Sequence, residues 1–183
     1  MRLIQSIKAK FFELALKKKM KARQKQGTAK VVNLETARKI GLLFDATDIN
    51  QRKLVLDFVD KWNKRQKQFR LLGFFDSKLK DDNFTFDQFN QNDINWLNIP
   101  KGDTVAAFLA EEFDLLIHLN TQSNVRMECL SLLANATLKI GPPALRLPAY
   151  DFMIEVPASA GLRQFIQQME HFLQHINKSP SHA

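Results

Sequence analysis

The chain has 183 residues, of which 45% are hydrophobic and fifteen are Phe, so it carries enough apolar surface for one core and does not read as a disordered chain. No run approaches the roughly 18 apolar residues of a membrane-spanning helix, and the N-terminus lacks the apolar segment ending in small residues that marks a secretory signal. The formal charge of +8 divides unevenly: residues 1–30 carry ten Lys or Arg against one acid, Glu13, for a net of +9, whereas residues 31–183 hold seventeen basic and eighteen acidic side chains, for a net of −1. The positive charge thus belongs to an arm at one end of the chain and is not spread over a face of the body.

That end, Met1 to Gln26, reads as a single helix, uninterrupted by Gly or Pro and stopped at Gly27. Leu3, Ile4, Ile7, Phe11, Leu14 and Ala15 form one apolar stripe, and Lys residues occupy much of the rest. Lys8, Lys10, Lys17, Lys18, Lys19, Lys21, Arg23 and Lys25 are the candidate surface-binding residues of this arm. Such a helix fits an anionic membrane surface, a protein partner, RNA or a transit peptide, and its stripe also fits docking on the domain. Nucleic acid is disfavoured because Phe11 and Phe12 are flanked by aliphatics rather than set out as a stacking platform. The Lys-rich, Ser-poor composition speaks against a transit peptide.

After a polar linker, Lys39–Phe44 is a buried strand, and Asp48 with Gln51 has the capping-box spacing for a helix from Ile49 to Gln66. Leu54, Leu56, Phe58, Val59 and Trp62 supply its buried side. Phe69–Phe75 gives a second strand. The alternation in Asn83–Phe89 and the run Ile94–Ile99 read as two short edge strands. Asp103 caps a helix over Thr104–Glu112 that turns Val105, Phe108 and Leu109 inward. Phe113–Leu119 is a nearly continuous apolar run of the kind that fills a parallel sheet, followed by five polar residues and a helix whose Val125, Cys129, Leu132 and Leu133 recur at helical spacing. Thr137–Ile140 is the next strand, stopped by Gly141-Pro142-Pro143. Phe152–Val156 is the last strand. Ser159 opens a terminal helix with Leu162, Phe165, Ile166, Met169, Leu173 and Ile176 on one side, and residues 179–183 fray. This order predicts a three-layer, Rossmann-like α/β domain over residues 31–183, with four to six mainly parallel strands, preceded by the basic helical arm of residues 1–30.

Motifs for catalysis are missing. There is no GxGxxG after the first strand, no GxxxxGK[ST] and no GxSxG, so no cofactor is expected. His171 and His175 stand four residues apart without a further ligand, which reads as a solvated helix end rather than a metal site. Cys129 is the only cysteine and cannot form an internal disulfide; it reads as a small buried hydrophobe in a reducing, cytoplasmic setting. Because open parallel sheets bind ligands beyond the carboxyl ends of their strands, the candidate ligand-binding residues are Asp45, Thr47, Asp48, Asp76, Asn120, Thr121, Gln122, Ser123 and Asn124. Within this group Asp48 reads as a helix cap before a catalytic acid or base, and the neighbouring His118 as a core histidine.

The order FDLLIHL, NTQSNVR, LSLLANATLKIG resembles the amino-terminal half of heptosyltransferase-type glycosyltransferases over about residues 39–141. The resemblance implies a Rossmann-like fold and, at Asp48, an acid serving as base; Ala46-Thr47 stand where that family has glycines, and a base here would need a donor held by another chain. From arm to terminal helix the chain is similar to a small uncharacterised family of Bacteroidetes proteins known as a domain of unknown function. The sequence thus points to a cytoplasmic domain that binds a partner or the inner surface of a membrane through the arm, with a nucleotide- or sugar-phosphate-binding domain as the alternative.

Overall fold

A computed structural model describes residues 32–78, 84–96, 98–157 and 159–176. The arm helix expected over residues 1–26, its cationic side chains and the fraying of 179–183 lie outside these residues.

Six strands form one sheet: β1 (Lys39–Asp45), β2 (Gln68–Phe75), β3 (Asp87–Asn90), β4 (Glu112–Leu119), β5 (Asn135–Gly141) and β6 (Phe152–Met153). The helices are α1 (Ile49–Asn63), α2 (Asp103–Ala110), α3 (Val125–Leu133) and α4 (Gly161–His175). Every strand pair is parallel, in the order β3-β2-β1-β4-β5-β6. This is the doubly wound Rossmann arrangement, whose order reverses between β1 and β4. The apolar runs of β1 and β4 explain their central place, since a strand covered on both faces needs apolar residues in succession. Ile40, Leu42, Leu43, Leu115 and Ile117 are fully buried. One core cluster joins β1 and β4 to Val55, Phe58 and Trp62 of α1 and to Leu162, Phe165, Ile166 and Met169 of α4. A second joins Leu43, Leu72 and Leu116 to Val105 and Phe108 of α2 and to Met127 and Leu130 of α3. The sheet is therefore the middle of three layers. On the first face the buried Trp62 donates its indole N–H to Glu170 (2.6 Å), which also accepts from Lys61 (2.8 Å), so one carboxylate links α1 to α4.

Several expected boundaries are corrected. Helix α1 stops at Asn63, not Gln66, because Lys64–Gln66 turn and Gln66 takes φ 57, outside the helical region. Asn83 lies outside the described residues, and from Phe84 to Phe89 only Asp87–Phe89 is strand, whereas Phe84 and Phe86 stack on Phe75. The described residues of Ile94–Ile99 do not form a strand: Asn95 Oδ1 accepts the Ile99 N–H (3.0 Å) and Asn98 adopts φ 65, leaving one antiparallel bridge from Ile94 to Pro100, while Leu97 lies outside the described residues. Asp103 is the first residue of α2 and not its cap, a position held by Gly102 at φ 101, and the chain leaves the helix at Glu111 to enter β4. Strand β6 has two residues rather than five. Its last partner in β5 is Gly141, and the following Pro142 has no N–H to extend the ladder. Ser159 does not cap α4; no side chain does, and Ala160 stands at that position. In α3, Leu133 is 36% exposed while Met127 and Leu130 point into the core, because this helix is covered on nearly every side and has no single apolar stripe.

Candidate functional site

The carboxyl edge of the sheet gathers the strand-end residues into two groups. In the first, Asp48 Oδ1 caps α1 by accepting the N–H groups of Asn50 (2.7 Å) and Gln51 (3.0 Å). Asp45 Oδ1 accepts the Thr47 N–H (2.9 Å), and Thr47 Oγ1 accepts the Asp76 N–H (2.9 Å), which ties the end of β1 to the end of β2. Asp76 in turn accepts from the side-chain amide of Gln91, beyond β3. Arg52 donates to the Ala46 carbonyl (2.6 Å) and lies over the Phe84 ring, 4.6 Å from its centroid. All of these polar atoms shape turns.

The second group follows β4. Asn120 Oδ1 accepts the Thr121 N–H (2.7 Å) and, at 3.4 Å, that of Gln122; Asn124 caps α3 through the Met127 N–H (3.0 Å). Parallel register pairs Phe44 with Leu119, so Asp45 and Asn120 each follow the last paired residue of adjacent strands. The topology brings the two groups side by side at the reversal of strand order, where doubly wound sheets bind ligands. Ser123 departs from the rest: it is buried and faces inward, its hydroxyl 3.2 Å from the Tyr150 hydroxyl.

Tyr150 lies 2.7 Å from Nδ1 of the fully buried His118. A chain Ser123–Tyr150–His118 therefore runs from the lip of the sheet into its interior. Nε2 of His118 has no hydrogen-bond partner among the described residues, so the expected core histidine is satisfied at one nitrogen only. Burial away from water lowers the His118 pKa to about 3 and raises that of Tyr150 to about 12, the latter against the opposing pull of the Ser123 and Ser131 hydroxyls. Near neutral pH both groups are uncharged. Beside them the fully buried Glu128 accepts the backbone N–H groups of Leu145 (2.6 Å), Arg146 (3.1 Å) and Leu147 (3.1 Å), and the buried Lys139 ammonium donates to the carbonyls of Ser131 and Ala134 (2.6 Å each) at the end of α3. Among the described residues there is no group of three His, Cys, Asp or Glu able to hold a metal ion, and no helix is long and apolar enough to cross a membrane.

A family model matches residues 8–176. The chain belongs to that family of unknown function, DUF6913. No curated protein and no solved structure matches it. The DUF6913 match begins at Lys8, inside the basic N-terminal stretch, and ends at Ile176, just past α4, so it covers residues 8–30 of the stretch as well as the sheet.

Sequence reasoning placed the strand-end residues of this DUF6913 chain on the right edge but missed Tyr150, Glu128 and Lys139. A signal was present for Glu128. Pro142, Pro143 and Pro148 bracket four consecutive N–H groups in a segment that cannot read as strand, and a nearby acid in a helix of buried residues is a natural acceptor for them.

Proposed function

We propose that the chain is a non-catalytic cytoplasmic domain that engages an anionic surface, the inner face of a membrane or an acidic protein partner, through its basic N-terminal stretch. The observation that carries this reading is the segregation of charge, +9 in residues 1–30 against −1 in the remainder. Two further facts support it. The family match includes the stretch from Lys8 onward, and the strand-end side chains Asp45, Thr47, Asp48, Asn120 and Asn124 are engaged in turns and caps. Each Lys or Arg near an anionic membrane contributes about 1 kcal/mol, a sum that salt screens. Flotation with vesicles rich in anionic lipid, comparing the whole chain with one starting at Thr28, tests this. Flotation of the whole chain alone, weakened by salt, is the expected result; equal behaviour of both chains overturns it. A heavy complex that survives RNase without lipid identifies the acidic protein partner.

The second reading is a transferase-like domain that binds a nucleotide or sugar phosphate at the strand ends. Its supporting observation is the strand order, which sets the Asp48 turn beside Asn120–Asn124 at the reversal point. It is also the function the heptosyltransferase resemblance implies. A thermal-shift screen with nucleotides and sugar nucleotides tests it, and the absence of stabilisation at millimolar ligand argues against it.

A further inference from the structure

The connection from β5 to β6 is held in an unusual way. Between Gly141 and Asp151 three residues are Pro and offer no N–H. Of the remaining N–H groups up to Ala149, those of Leu145, Arg146 and Leu147 all go to Glu128. Ala144 donates to the weakly accepting Met153 sulfur (3.3 Å), and Ala149 donates within the segment to Leu147. None joins the sheet ladder. Apolar anchorage is also slight, since Leu145 is 68% exposed and only Pro142 and Ala149 are buried. Both ends, by contrast, are fixed: Gly141 sits in β5, and Asp151 exchanges two bonds with Lys139 through its N–H (2.8 Å) and its carboxylate (2.9 Å). Near the second end the Tyr150 ring lies flat on Gly141, where an added Cβ would come within 2.5 Å of it, and its hydroxyl bridges Ser123 and His118.

We propose that residues 142–150 form a strap that opens as one unit between two fixed ends, with the Glu128 carboxylate and the Tyr150 hydroxyl as its latch. Opening bares the Ser123 hydroxyl and Nδ1 of His118 at the end of β4, so the strap gates a polar site at the strand end where this topology takes ligands. Segments with few apolar contacts and a small set of bonds open at a lower free energy than the core they cover. The inference does not depend on the basic stretch.

Amide hydrogen exchange on the whole chain tests it. Glu128→Gln keeps the side-chain volume and removes the charge that three N–H groups share. In this variant the Leu145, Arg146 and Leu147 amides should exchange about tenfold faster or more, while Leu42 and Leu43 of β1 keep their protection. Tyr150 is the only tyrosine, so phenolate absorbance follows it alone; its titration should move from about 12 toward the ordinary value. Unchanged exchange at all three amides overturns the proposal. So does equal acceleration in β1, which would make Glu128 a part of the global core. Tyr150→Phe, which removes one hydroxyl and leaves the ring on Gly141, decides the matter if E128Q does not fold. Acceleration confined to the strap supports the latch, and none or a global one overturns it.

Discussion

His118 is the residue on which the sequence and the structure bear most directly. A histidine in the middle of an apolar strand has to be neutral, because a charged imidazole without a counter-ion is costly in the interior. Desolvation alone holds its pKa at about 3. In the unfolded chain the same group protonates near its ordinary value of about 6.5. Between these values the unfolded state binds a proton that the folded state refuses, so stability is full above about pH 6.5 and is lost as the pH falls toward 3, at up to about 1.4 kcal/mol per unit. Carboxylates add their own slope below about pH 5. The difference between the wild type and His118→Leu isolates the histidine. Urea unfolding at a series of pH values should give a wild-type stability that falls faster with acid than that of the variant, and parallel curves would refute the assignment. The same substitution deprives the Tyr150 hydroxyl of its close partner on β4, so some loss at pH 7 is expected as well.

At the scale of elements, α3 is held by side chains that contribute little to its amphipathic pattern. Its start is capped by Asn124 and its end by the Lys139 ammonium, which reaches up from β5 to the carbonyls of Ser131 and Ala134. A lysine places a positive charge at the negative end of the helix and satisfies acceptors that the last turn leaves open. Lys139→Met keeps the length and apolar stem but leaves those carbonyls buried, and should cost about 1.5–3 kcal/mol in denaturant unfolding; a loss under about 0.5 kcal/mol would show that the cap contributes nothing. The helix also shows what the sequence revealed and what it concealed. Strands β1, β2 and β4 were legible because a run of apolar residues is a local signal. The cap Asp48 was legible because a cap acts within three residues. Ile94–Ile99 resembled a strand by composition, yet Asn95 closes a turn with its own side chain and Asn98 adopts a left-handed backbone, neither of which alternation reveals. Lys139 and Tyr150 were hidden because their partners are backbone groups or polar atoms up to 32 residues away. In sequence Lys139 is one polar residue between apolar ones and Tyr150 one ring between Ala149 and Asp151, and only the fold shows what each satisfies.

For the molecule as a whole, the balance to resolve is between charge and apolar contact in the basic stretch. The sheet and its two helix layers bury two apolar cores in the body, whose net charge of −1 gives no reason to seek an anionic partner. Residues 1–30 carry both a +9 charge and an apolar stripe. Binding driven by electrostatics has to weaken with salt over a Debye length of about 8 Å at physiological ionic strength, whereas binding driven by the stripe does not. Reversing Lys17, Lys18, Lys19 and Lys21 to Glu takes the formal charge from +8 to zero, since each reversal removes two charges, and leaves Ile4, Ile7, Phe11 and Leu14 in place. The reversed chain should lose its association with anionic vesicles altogether, while its unfolding midpoint stays close to that of the wild type. Persistent flotation would show that the apolar stripe and not the charge makes the contact. A lowered midpoint together with lost flotation would mean that these lysines support the fold itself, and the reading of the stretch as a docking arm would fall.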